Sequence, residues 1–129
     1  MPQLDWSIRI VPTDAGGAAF LPQLSPAVQP GTPLQAQAQD IVTWGNQTTQ
    51  AHQPWLANSN GTPILPAPTS SDPTPAGFIC EVIPAGGSST PQYVVPASAQ
   101  VGTVIRYCCL LHPTDPTEQG QIVVADFSS

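Results

Sequence analysis

Two histidines and three cysteines are the residues of this chain best suited to chemistry. One of each stands close together, in Cys109-Leu-Leu-His112. The other histidine, His52, follows Trp44 and Asn46 across a short polar stretch. One thiolate and two imidazoles, with a weak axial group, form the donor set of a blue-copper electron-transfer site. Taken alone, Cys-x-x-His reads equally well as a buried thiol beside a surface histidine. The apolar neighbours Tyr107, Leu110, Leu111 and Pro113 favour the metal, because a thiolate ligand needs shelter from water and oxidants.

Strands must bring these residues together. Asp5 to Val11 alternates and is rich in β-branched residues, so it reads as a strand. Phe20 to Leu34 is proline-rich and reads as an extended edge strand with turns. Gln35 to Asn46 reads as a strand, and residues 47–75 as a long irregular connection. Strands follow at Phe78 to Ile83, Gln92 to Val95, Thr103 to Cys109 and Gln121 to Phe127. No helical periodicity survives the 17 prolines. Short strands separated by turns predict one all-β domain over residues 1–129: a Greek-key antiparallel β-sandwich or barrel. Ile41, Trp44, Val94, Val104, Tyr107, Ile122 and Val124 are expected to form or border its core. Both histidines can then reach one end of the sandwich.

The 129 residues are enough to build a core without staples. Only 8% of them are charged, and the formal net charge is −6. The sole cations besides histidine are Arg9 and Arg106, which leaves no basic stripe for nucleic acid or an anionic membrane surface. No apolar run approaches the ~20 residues of a membrane span. The N-terminus, Met-Pro-Gln-Leu-Asp-Trp, has neither the basic region nor the apolar core of a signal peptide. It fits a mature form with an added methionine, or an intracellular protein.

With these residues in place, the sequence resembles the cupredoxins, in particular their plastocyanin-like members. Trp44, Asn46 and His52 match that family's aromatic, Asn and first ligand, and Phe20 and Pro22 match its early Phe-x-Pro. Tyr107, Cys109, His112, Gly120 and Ile122-Val123-Val124 match the second ligand loop and final strand. The resemblance implies a single copper ion held by His52, Cys109 and His112, with one-electron transfer and no bond chemistry. The family's axial methionine lies two residues before the glycine, where this chain has Glu118. Gln119 is the second choice, and no axial side chain the third. Gln53 stands where the family commonly has Asn after the first histidine.

The resemblance further implies a monomer, periplasmic or secreted, whose redox partner docks near His112 against Leu110, Leu111, Pro113 and Pro54. Two other readings use the same residues: a copper chaperone or storage protein, and a cupredoxin-fold binding module with no redox role. An oxidase or nitrite reductase would need more histidines. Cys80 and Cys108 are expected either to pair in a disulfide, which accounts for the odd cysteine count, or to be small buried hydrophobes. Asn46-Gln-Thr48 and Asn60-Gly-Thr62 match the glycosylation sequon but are discounted. Trp55 reads as a core or rim aromatic or as part of a docking face, and Asp115 as a solvated loop acid.

Overall fold

The structure, a computed structural model, describes residues 4–13, 17–22, 33–65, 67–72, 75–112 and 118–126. The described residues contain eight strands and no helix. They are β1 (Asp5–Pro12), β2 (Ala18–Pro22), β3 (Leu34–Ala36), β4 (Ile41–Asn46), β5 (Pro54–Leu56), β6 (Tyr93–Val94), β7 (Val104–Cys109) and β8 (Gln119–Val124). One four-stranded sheet has the order β2-β1-β4-β6, and the other β3-β8-β7-β5.

Alternation along the strands builds the layer between the sheets. Ile8 and Ile10 from β1, Val42 and Trp44 from β4, Tyr107 and Cys109 from β7, and Ile122 and Val124 from β8 are all buried in one cluster. The Trp44 ring meets Tyr107 edge-on at 5.3 Å, and Phe20 packs on the other side of Tyr107 at 5.3 Å. A second, smaller cluster of Trp55, Ala57 and Cys108 covers the outer side of the β5–β7 pair.

The sandwich agrees with the expectation, but the sheets are mixed. β1 and β4 run parallel, as do β3 and β8. After β2 the chain crosses to the other sheet for β3. It then returns as β4 beside β1 instead of folding back on β2.

Other departures are local. The expected edge strand from Phe20 to Leu34 keeps only the end of β2 and the first residue of β3, and the expected strand from Gln35 to Asn46 is broken by a turn at Ala38-Gln39, with Gln39 at φ 74°, into β3 and β4 of different sheets. The middle of the former, residues 23–32, and Phe127 lie outside the described residues. β5 lies inside the stretch expected to be irregular.

Phe78 to Ile83 is not a regular strand. It touches Trp55 through a bridge at Phe78 and His52 through a bridge at Ile83, and Ser88 then bridges Gly45 of β4. The segment thus passes from the edge of one sheet to the edge of the other, so it pairs fully with neither.

Trp44, Tyr107, Ile122 and Val124 are core residues as expected. Val94 is 48% exposed and Val104 38% exposed. Val94 pairs with Ile41, and Val104 with Val123, on outward-facing positions. The inward residues beside the first pair are Val42 and Val95, and those flanking Val123 are Ile122 and Val124.

Candidate metal centre

β7 ends on Cys109, whose side chain faces the inter-sheet layer. A tight turn follows, with the His112 amide donating to the Cys109 carbonyl at 3.2 Å, and it folds His112 back over the strand end. The Cys109 amide donates to the Glu118 carbonyl at 3.1 Å, which brings the entry to β8 alongside. His52 arrives just ahead of β5, whose Pro54 pairs with Cys109. Its amide and carbonyl bond to those of Ile83, at 3.1 and 2.7 Å. Asn46 ties this region together by donating to the carbonyls of Gln50, Ile83 and Pro84. It is buried at that task, which agrees with discounting its sequon.

These connections place Cys109, His52, His112 and Glu118 so that one ligand atom from each lies within 4.8 Å of the others. Glu118 Oε1 stands 2.8 Å from His52 Nδ1 and 3.0 Å from His112 Nδ1. Cys109 Sγ is 3.7 Å from His52 Nδ1 and 3.5 Å from His112 Nδ1. The rings of the two histidines meet edge-on at 5.1 Å. His52, Cys109 and Glu118 are buried, whereas the His112 side chain is 35% exposed.

All four converging atoms carry lone pairs, so protons or a cation must lie between them. A buried carboxylate is costly unless such a partner is present. Two imidazole nitrogens, a thiol sulfur and a carboxylate oxygen suit copper, and the donor set therefore fits the metal that the residue types suggest.

The thiol is held largely protonated when no metal is bound. Burial, and secondarily the Glu118 carboxylate, push Cys109 up to about 11, while amides of Gln53, Leu111 and His112 pull the other way. The Gln53 amide stands 3.5 Å from the sulfur, and its side chain donates to the Cys80 carbonyl at 3.1 Å. Gln53 thus links the two ligand-bearing regions.

Gln119 stands apart from the four-residue group. Its Nε2 donates to the Gly61 carbonyl at 3.3 Å, as its place beside Glu118 on an alternating strand requires. Thr48, which residue typing alone did not suggest, bonds His52 Nε2 through its hydroxyl at 3.0 Å.

All three cysteines are free, so the expected disulfide is not formed. Cys80 packs in the inter-sheet core with Cys109, and Cys108 belongs to the outer Trp55 cluster. The sheet separates them because adjacent strand residues point to opposite faces. Both are therefore small buried hydrophobes, the other reading of the sequence.

Of the apolar patch expected near His112, Leu111 is 44% exposed and Leu110 is half-buried against Trp55. Pro54 is buried and cannot line that patch. Trp55 is fully buried and donates to the Ile64 carbonyl, so it is a core residue and not part of a docking face. Pro113 and Asp115 lie outside the described residues.

No family model and no curated protein sequence matches the chain. Solved structures do. A purple cupredoxin from Nitrosopumilus maritimus superposes with a TM-score of 0.57 at 20% identity, over 92% of this chain and 98% of its own. A multicopper oxidase superposes with a TM-score of 0.53 at 20% identity, over 93% of this chain but only 41% of the oxidase. Two packed sheets, with two histidines, a cysteine and a glutamate gathered at one place, and these likenesses together show that the chain has a cupredoxin fold.

Proposed function

We propose that this protein holds one copper ion with Cys109, His52, His112 and Glu118, and that it is an electron carrier, not a catalyst. The observation that supports this reading is the convergence of four ligand atoms of copper-binding type within 4.8 Å. Bound copper supplies a one-electron couple between Cu(I) and Cu(II). The chain supplies the rest. The core around Cys109 keeps water from the thiolate. Backbone bonds from Ile83, Gln53 and Glu118 fix the ligand loops, which limits rearrangement between oxidation states.

His112 is the one solvent-facing ligand, and Leu111 beside it offers a small apolar contact. Small contacts suit brief encounters with a redox partner. With two arginines, no lysine and a net charge of −6, steering is modest and favours a partner that is not itself strongly acidic. Among the described residues no helix is long and apolar enough to cross a membrane. A monomer in the periplasm or secreted completes the reading, on the strength of the resemblance.

A hard carboxylate among the ligands also favours a second reading, in which the same residues store or hand on copper. Stepwise addition of Cu(II) tests both. An intense thiolate-to-copper band saturating at one equivalent, with a reversible voltammetric wave, is expected for the carrier. Ready loss of copper to a mild chelator would favour storage or transfer. Absence of stoichiometric copper would remove both.

A further inference from the structure

Asn46 Nδ2 donates to the carbonyls of Gln50 at 2.7 Å, Ile83 at 3.1 Å and Pro84 at 3.2 Å. A flipped amide would set its oxygen against three carbonyls, so the orientation is fixed. Asn46 Oδ1 therefore faces Thr48. It accepts the Thr48 amide at 3.0 Å and lies 2.7 Å from the Thr48 hydroxyl. That hydroxyl is also 2.9 Å from the Gln50 carbonyl. Two oxygens without protons of their own thus compete for the single hydroxyl proton. None remains for His52 Nε2, which stands 3.0 Å from the same hydroxyl. With that proton given to Asn46 Oδ1, the shortest of the three contacts, the ring nitrogen is the donor in its bond to Thr48.

A competing force acts on the other ring nitrogen. Glu118 Oε1 is 2.8 Å from His52 Nδ1 and, without a metal, would draw the proton of a neutral ring to that side. A ring protonated only on Nδ1 would have no lone pair facing the cluster.

We propose that Thr48 is a positioning residue for the metal centre: its hydroxyl keeps a proton on His52 Nε2, so that Nδ1 is the nitrogen left for the metal. The inference takes its purpose from the copper reading, but the placement of the proton belongs to the metal-free protein. Partners beyond the ligands that fix the tautomer of a metal-binding histidine are typically worth 10- to 100-fold in affinity.

The test is nitrogen-resolved NMR of the His52 ring in the metal-free protein at about pH 8, where an ordinary imidazole is neutral. Wild type and Thr48→Ser should show a proton on Nε2. Thr48→Val keeps the shape but removes the acceptor, and its ring should shift to Nδ1–H bonded to Glu118. Its Cu(I) affinity, read by chelator competition, should fall about 10- to 100-fold while Thr48→Ser stays near wild type.

A wild-type ring protonated on Nδ1 alone overturns the proposal, even if the valine variant does not fold. So does a valine variant that loses affinity while keeping Nε2–H, because the loss then comes from the turn. If wild type shows Nε2–H but takes up no copper, the copper reading fails and the hydrogen-bond assignment is upheld.

Discussion

Glu118 sets the electrical character of the cluster. Its oxygen stands within 3.0 Å of both histidine nitrogens while its own side chain is buried. An anionic oxygen in that position stabilises Cu(II) over Cu(I). Glu118→Met should therefore raise the reduction potential and move the spectrum toward blue. Voltammetry of the variant decides it: an unchanged potential would place Glu118 outside the metal's coordination.

Cys109→Ser should lose any intense visible band, because a hydroxyl is a poor charge donor. On the proposed copper reading, Cys109 also makes metal uptake sensitive to pH. Its thiol is pushed up to about 11, so at neutral pH binding must displace a proton. Apparent affinity should therefore rise between roughly pH 6 and pH 8, most simply seen by competition with a chelator whose own pH dependence is known. The gathering of His52, Cys109 and His112 was legible from residue type and spacing, and Glu118 from the resemblance, through its slot before Gly120. Thr48 was not, because a hydroxyl four residues from a histidine carries no spacing rule.

Among the elements, periodicity revealed β1, β4 and β8, where one face is buried and the next residue is less so, whereas β7 was found despite burial of both faces at Tyr107, Cys108 and Cys109. It failed for β5, since Pro54-Trp55-Leu56 is too short to display a period. It misled at Phe78 to Ile83, where exposed Glu81 and Val82 stand between buried Ile79-Cys80 and buried Ile83. That order follows a chain crossing between sheet edges, which no local pattern encodes. Position 120 gives an element-scale prediction. Gly120 pairs with Tyr107 across β7 and β8, and a methyl group there would overlap the Tyr107 phenol. Trp44 and Phe20 wedge that ring in place. Gly120→Ala should destabilise the protein by about 1–3 kcal/mol, measured by chemical denaturation.

For the molecule as a whole, the buried acids make the metal-free sandwich vulnerable to base. Burial pushes Cys80 up to about 12 and Cys108 to about 11, and it raises the Tyr107 phenol as well. With Cys109 also raised, these groups ionise more readily in the unfolded chain. The stability they contribute is complete below the unfolded thiol value of 9.0 and is lost as pH climbs through the folded values. Melting temperature in reductant, without metal, should therefore fall above about pH 9. A flat profile to pH 11 would mean that the thiols titrate normally in the fold.

The two ligand-bearing regions are far apart along the chain: His52 and Cys109 are separated by 57 residues. Bringing the ends of such a loop together costs roughly 4 kcal/mol of chain entropy. No disulfide among the cysteines defrays it, so the sandwich itself does. A metal ion meeting the folded chain finds that cost already met. The unfolded chain keeps Cys109, His112 and Glu118 within local reach but loses His52, and is a weaker chelator. Raising free metal should therefore raise the unfolding midpoint, and unfolding should release the ion in the same cooperative step.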